Sequence, residues 1–102
     1  MKVFTQSVNF NADNQLIELV EAKVSALTKF HDKIVDAEVF LKVQKTSEKE
    51  NKITEVKINI PGSELIITRE TKTFEEGISS AVDSLKRQLK KSKEKQRDSL
   101  IS

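Results

Sequence analysis

The chain has 102 residues, a third of them charged, with a formal net charge of +2 and no cysteine. The lack of cysteine excludes disulfides and cysteine-ligated zinc sites, and it suits the reducing cytoplasm where we expect the protein to act. No apolar run approaches the ~20 residues of a membrane span, so no membrane partner is expected. The length is that of one domain, and we predict a single domain over residues 1–102.

The first half of the chain predicts a strand, a helix and a second strand. Lys2 to Val8 alternates loosely and is rich in strand-forming residues. Asp13 or Asn14 can cap the helix that follows, whose apolar spacing extends to His31. From Ile34 to Lys45 the apolar period becomes two, which predicts a strand covered on one face. The residues predicted to face the core from this strand are Val35, Ala37, Val39, Leu41 and Val43.

The second half continues with two more strands. Thr46 to Lys52 is polar and predicts a hairpin loop, and Ile53 to Ile60 alternates again as a third strand. Pro61 and Gly62 suit the central positions of a type II turn, because proline fixes φ and glycine accepts a positive φ. Leu65 to Arg69 then predicts the fourth strand.

A long helix is predicted at the end of the chain, from about Thr73 to Arg97. Thr73 and Glu76 have the spacing of a capping box at its start. Its apolar residues share one helical face, and they are Phe74, Ile78, Ala81, Val82, Leu85 and Leu89.

The predicted order is β-α-β-β-β-α, an α+β fold. The strand-helix-strand unit favours a parallel crossover, and the two short connections favour antiparallel pairing. Because each helix has one apolar face, we predict a four-stranded mixed sheet with two helices packed on one face. The other face of the sheet is expected to be charged and wet.

The end of the last helix, residues 86–97, concentrates positive charge. It holds seven basic residues and one acidic residue, a local charge of +6, so the rest of the chain sums to −4. Four of the basic residues, Lys86, Lys90, Lys93 and Arg97, fall within about 60° on the helix, beside its apolar face. The helix dipole accounts for two or three such cations. Seven indicate a phosphate-rich partner, bound through its backbone rather than its bases.

Residues suited to catalysis are scarce. His31 is the only histidine, and we expect it at the surface near a helix C-terminus. The chain has only two glycines, Gly62 and Gly77, and no glycine-rich phosphate loop. We therefore expect no enzymatic activity, no cofactor or metal, and no small-molecule substrate.

Three segments carry a resemblance to a known family. They are Leu19 to Val24 with Leu27 and Phe30, then Val39 to Val43, and finally Val82 to Lys95. The last segment keeps the pattern Asp-x-Leu-x-Arg-Gln-Leu-x-Lys-x-Lys, which begins at Asp83. The chain resembles the ribosome hibernation promoting factors, also called ribosome-associated translation inhibitors, whose fold has the same β-α-β-β-β-α order.

The resemblance implies a ribosome-binding domain that occupies the mRNA and tRNA channel of the small ribosomal subunit. There it contacts ribosomal RNA, inhibits translation and preserves idle ribosomes. The implied RNA-contacting residues are Lys23, Lys86, Arg87, Lys90, Lys91, Lys93 and Lys95. The chain departs from the family at Ala26, where many members have lysine, at Glu75, a position often aromatic, and at Thr73, usually aspartate.

The length resembles the short forms of the family, some of which favour ribosome pairing with a second hibernation factor. Only a short tail, residues 98–102, follows the basic run, which favours this pairing-compatible type.

The residues alone also leave two alternative functions open. One is a double-stranded-RNA-binding protein that acts off the ribosome. The other is a protein-interaction module that docks its basic helix on an acidic partner.

Overall fold

A computed structural model describes residues 1–45 and 51–101, and it gives the backbone alone for residues 93–101. The chain forms four strands and two α-helices in the predicted order, which confirms the α+β prediction. The elements are β1 (Lys2–Val8), α1 (Asn14–Ser25), a 3₁₀ turn (Ala26–Lys29), β2 (Asp36–Val43), β3 (Lys52–Ile60), β4 (Ser63–Thr71) and α2 (Phe74–Ile101).

The four strands form one mixed sheet in the order β1-β2-β3-β4. β1 and β2 are parallel, with Lys2 opposite Asp36, because α1 returns the chain to the same end of the sheet. The other two pairs are antiparallel. Ile60 pairs directly with Ser63 across the two-residue turn. Gly62 has φ of +76°, as the third position of the predicted type II turn requires.

Both helices cover the same face of the sheet. α1 packs against β1, α2 packs against β3 and β4, and the two helices pack against each other. Alternate residues of the central strands point into this layer, as the period-two pattern predicts. The fully buried ones are Ala37, Val39 and Leu41 on β2 and Thr54, Val56 and Ile58 on β3. Val20, Val24, Ile78, Ala81, Leu85 and Leu89 complete the core from the helices.

The first helix is shorter than its apolar pattern indicates. Asp13 caps it as predicted, with the Leu16 amide donating to the Asp13 carboxylate at 2.8 Å. The α-helix ends at Ser25, not at His31, and the chain tightens into the 3₁₀ turn. This turn still buries Leu27, and its end is closed by the Phe30 amide donating to the Leu27 carbonyl at 3.0 Å.

The last helix begins as expected and extends further. The Thr73 hydroxyl accepts a hydrogen bond from the Glu76 amide at 3.2 Å, the first half of the predicted capping box. Among the described residues, the reciprocal bond from the Thr73 amide to the Glu76 carboxylate is absent, and Glu76 is exposed. The helix continues to Ile101, so residues 98–101, predicted as a tail, remain helical. No proline or glycine interrupts the chain after Gly77.

Three strand boundaries differ from the predictions. Val35 precedes β2 and is 60% exposed, so the prediction that it faces the core is wrong. Lys52 begins β3 instead of ending the hairpin loop, and residues 46–50 of that predicted loop lie outside the described residues. β4 extends beyond Leu65 to Arg69 at both ends. In each case cross-strand pairing, rather than apolar alternation, decides where the strand ends.

The uncovered face of the sheet is charged, as expected, but it is also partly apolar. Lys57 on β3 forms ion pairs with Glu64 at 3.2 Å and Glu38 at 3.6 Å. Hydrogen bonding to Glu64 raises the pKa of Lys57, and the negative charges of both carboxylates act in the same direction. Phe4 and Ile66 are also 55% and 49% exposed on this face, so apolar side chains lie among its charged ones.

Candidate nucleic-acid interface

The orientation of α2 is set by its apolar residues, and this decides where its cations point. Leu85 and Leu89 are fully buried against the sheet and α1. Arg87 and Lys90 are exposed, and Lys86 is half-buried. The helix runs antiparallel to β4, because Thr71 lies close to Gly77 and Arg69 reaches Ser84, about two turns further along the helix.

Phe30 organises two of the predicted site residues. The Lys86 ammonium lies 4.7 Å from the centre of the Phe30 ring, and the Lys90 ammonium lies 5.1 Å from it. Both distances are within the range of a cation–π contact. The end of the first helical segment therefore holds two cations of α2 together. The apolar pattern of the chain alone did not indicate this role for Phe30.

Arg87 and Lys91 lie on another side of α2. Arg87 is exposed, and its guanidinium donates to the Ser84 hydroxyl at 3.4 Å. Lys91 is also exposed, one turn further along the helix. Relative to Lys86, these two residues lie about 100° and 140° around the helix axis. The basic segment thus presents cations over a broad sector rather than along a single line.

The structure gives less information on the remaining predicted site residues, which are Lys23, Lys93 and Lys95. Lys23 is exposed in the last turn of α1, beside the buried Val24. Phe30 contacts Lys86 and Lys90 but brings no contact to Lys23, so the RNA-contacting role of Lys23 stays a prediction. The side chains of Lys93 and Lys95 lie outside the described residues, although their backbone is helical.

The cations of α2 are not neutralised by carboxylates in the described part of the chain. The ion pairs found there both belong to Lys57, on the opposite face of the sheet. Lys86, Arg87, Lys90 and Lys91 contact a ring, a hydroxyl or solvent instead. An exposed cluster of unpaired cations attracts polyanions through its summed field. Among the described side chains, this cluster is the feature best suited to binding a charged partner.

His31 differs from its predicted position at the surface. It is 1% exposed, and its Nδ1 accepts a hydrogen bond from the Lys33 amide at 3.1 Å. Its Nε2 is buried without a hydrogen-bond partner in the described part of the chain. The expectation of a surface histidine was wrong because the turn after Lys29 folds this side chain inward. Its neighbours in sequence, Asp32 and Lys33, are exposed.

Within residues 1–45 and 51–92, whose side chains the structure describes, no three histidine, aspartate or glutamate residues cluster in a way that suits a metal ion. No helix in the same part of the chain is both long and apolar enough to cross a bilayer.

Comparison with known proteins gives consistent matches over most of the chain. Residues 3–97 match the family described as sigma 54 modulation protein / S30EA ribosomal protein. A ribosome hibernation promoting factor from Pseudomonas putida is 32% identical over 100 residues, covering 98% of this chain and 94% of the relative. The corresponding factor from Azotobacter vinelandii is 30% identical over 96 residues, covering 94% and 86%.

The fold is also similar to that of a solved structure. A ribosomal subunit interface protein from Coxiella burnetii superposes with a TM-score of 0.79 at 22% sequence identity. The match covers 91% of this chain and 98% of that protein. At this identity the similarity is evidence for the fold alone.

Proposed function

Because the chain belongs to the sigma 54 modulation protein / S30EA family, that of the ribosome hibernation promoting factors, we propose that it binds the small ribosomal subunit. The proposed binding place is the channel for mRNA and tRNA, and the proposed ligand is ribosomal RNA. A protein in that channel inhibits translation by excluding the substrates, and it needs no catalysis. Its place of action is then the cytoplasm.

The observation that carries the proposal is the cluster of α2 cations that form no ion pair with any carboxylate among the described side chains. Lys90 and Lys91 are exposed, and Lys86 is held beside Lys90 by the Phe30 ring. Contacts of this type neutralise phosphates and release counterions, which supplies affinity without base recognition. Structured RNA suits such a surface because its closely spaced phosphates follow a fixed path. Arg87 adds a planar fork that can bind two phosphate oxygens.

Three other predicted contacts, Lys23, Lys93 and Lys95, also belong to the proposal. Lys23 is exposed on the helix that packs beside α2, so its ammonium is free to reach a large ligand. Lys93 and Lys95 continue the basic run along the same helix. Ribosome pairing with a second hibernation factor remains a prediction from the resemblance.

The test is a double charge reversal, Lys90→Glu with Lys91→Glu. Both residues are exposed, so the fold should lose no more than about 0.5 kcal/mol at Lys91 and no more than about 1 kcal/mol at Lys90, where the contact with the Phe30 ring is removed. Each reversal changes the charge by two and replaces attraction to phosphate with repulsion. We expect a folded variant that no longer co-sediments with small subunits and no longer inhibits translation in an extract.

The matched control is Lys42→Glu with Lys45→Glu. Both lysines are exposed, and the control alters the net charge equally. They lie at or just after the end of β2, at the end of the sheet where α2 starts and not where its basic segment lies. This control should bind and inhibit almost as the wild type does. Equal loss in both variants would show a dependence on net charge alone, and retained inhibition by Lys90→Glu/Lys91→Glu would contradict the proposal.

The same sedimentation separates the two alternatives. A wild-type protein that binds a free RNA duplex but not the subunit would be a duplex-binding protein. If the wild-type protein binds neither the duplex nor the subunit, the result would favour the second alternative, in which α2 docks on an acidic protein.

A further inference from the structure

Arg69 is a cation in a position where the fold favours an apolar residue. It lies on the helix-facing side of β4, in register with Leu65 and Ile67, which pack against the core. Its guanidinium is half-buried between the edge strand and α2. A charge placed there loses part of its hydration, so the protein must hold it with hydrogen bonds.

The guanidinium is fixed by three hydrogen bonds. Its Nε donates to the Ser80 hydroxyl at 3.0 Å, and one terminal nitrogen donates to the Ser84 hydroxyl at 2.7 Å. The other terminal nitrogen donates to the Thr68 carbonyl at 3.1 Å. Since a guanidinium has five N–H groups, two remain to bind a ligand. None of the three acceptors is a carboxylate, so the positive charge is held without being neutralised.

Ser84 links Arg69 to Arg87. The Ser84 hydroxyl oxygen accepts from both guanidinium groups, at 2.7 Å from Arg69 and 3.4 Å from Arg87. Its proton then points away from the two cations. Two like charges converge on one small neutral group, with no ion pair to either of them in the described part of the chain. Such an arrangement favours binding of an anion between them.

We propose that Arg69 and Arg87 bind one phosphate of an RNA backbone. A phosphodiester offers two unesterified oxygens, which match the remaining N–H groups of the two forks. Ser80, Ser84, Arg87 and Lys91 lie within about 60° on α2, so Lys91 follows the same path one turn further along. The site gives α2 a second line of phosphate contacts, on the flank away from Phe30. It rests on the proposed RNA-binding function and assigns Arg69 a part in it.

A different role for Arg69 is protection of the sheet edge. Inward-pointing charges on edge strands discourage pairing with other chains, and β4 is an edge strand. That role would leave RNA affinity unchanged when the charge is removed, and it would be revealed by self-association of the variant.

The experiment measures binding to purified small subunits across a series of salt concentrations. Arg69→Gln keeps polar groups near Ser80 and Ser84 but removes the charge. We expect about a tenfold loss of affinity, and a slope of log affinity against log salt that is shallower by about 0.7–0.9, the value for one phosphate. Lys42→Gln, an exposed charge loss on the opposite face of the sheet, should change neither quantity by as much.

Two further variants separate charge from geometry. Arg69→Lys keeps the charge but not the fork, so we expect a severalfold loss of affinity with the slope unchanged. Ser84→Ala keeps both cations and should also weaken binding without changing the slope. Thermal unfolding followed by circular dichroism checks each fold, and if Arg69→Gln unfolds early, Arg69→Lys carries the test.

The outcomes distinguish this site from the proposed function. If the wild type binds subunits and Arg69→Gln behaves like Lys42→Gln, the phosphate site is overturned and the proposed function stands. If the wild type does not bind subunits, the proposed function fails, and the same variants are measured against a naked RNA duplex. A selective loss there supports the site, whereas equal binding by all variants, or no RNA binding by the wild type, overturns it.

Discussion

At the scale of single residues, Phe30 connects the two helical segments with the basic surface. Lys86 and Lys90 are four residues apart on one helix, a spacing at which like charges repel by a few tenths of a kcal/mol. The Phe30 ring attracts both ammonium groups, and each such contact contributes about 0.5–1 kcal/mol at an exposed site. The ring therefore holds two mutually repelling ammonium groups close together. The two lysine side chains then lose less conformational entropy when a ligand binds.

Phe30→Leu tests this positioning role. Leucine keeps the apolar contact with the core but has no aromatic face, so both ammonium groups are released. We expect affinity for small subunits to fall about threefold to fivefold, which corresponds to about 0.6–1 kcal/mol. The slope with salt should not change, because no charge is lost.

The matched control is Phe10→Leu. Phe10 stacks on Phe74, with ring centroids 4.9 Å apart, at the start of α2 and away from its basic end. Its loss should lower the thermal midpoint without changing subunit affinity. Unchanged affinity in Phe30→Leu would show that the ring is only a packing group.

At the scale of secondary-structure elements, Gly77 sets how closely α2 approaches the sheet. Glycine in a helix costs about 1 kcal/mol relative to alanine, so local propensity opposes it here. A Cβ at this position would collide with the Thr54 hydroxyl and lie 3.0 Å from the Thr71 hydroxyl. The first turns of α2 therefore rest directly on β3 and β4. This contact fixes the position of the α2 axis, and with it the position of the basic residues further along the helix.

Gly77→Ala should destabilise the fold despite its better helix propensity. Thr54 is fully buried and cannot move aside easily, so the added methyl forces a shift of the helix or the strand. Overpacking of this kind costs about 1–3 kcal/mol, which outweighs the gain of about 1 kcal/mol in most of that range. Urea unfolding monitored by circular dichroism measures the difference in the free energy of unfolding.

Ser79→Ala is the control for the effect of alanine on helix propensity. Ser79 is half-buried two residues further along α2, and its substitution should change the free energy of unfolding by less than about 0.5 kcal/mol. A Gly77→Ala variant more stable than the wild type would show that the helix does not need this close approach.

At the scale of the whole molecule, charge is separated between the basic helix end and the rest of the chain. Residues 86–97 carry +6 and the remainder carries −4, which together give the net +2. In the described part, the ion pairs lie on the uncovered sheet face, around Lys57. A small net charge therefore conceals a strong local field. Such a field orients the protein as it approaches a polyanion and accelerates association.

This separation predicts a steep dependence of binding on salt. With about five phosphates neutralised, log affinity for the small subunit should fall with log salt at a slope of about −3.5 to −4.5. Filter binding at several potassium chloride concentrations measures the slope. A flat response would indicate an uncharged or apolar interface instead of phosphate recognition.

Local patterns in the amino-acid sequence were enough to predict most of the secondary-structure elements. The cap at Asp13, the turn at Pro61 and Gly62, and the inward residues of β2 and β3 follow from spacing and backbone preference. The order of elements and the covered sheet face followed from these, and the fold was confirmed. The concentration of cations near the end of α2 was also predictable, because the charge of a segment follows directly from its residue types.

The contacts that these residues make became known only from the way the elements pack together. Periodicity gives the face of an element but not its neighbour, so the burial of His31 and the contact of Phe30 with Lys86 and Lys90 were not predictable. The same holds for Arg69, which meets Ser80 and Ser84 only when α2 lies across β4. These contacts join residues far apart in the chain, and they form because packing of the two helices on one sheet face brings them together.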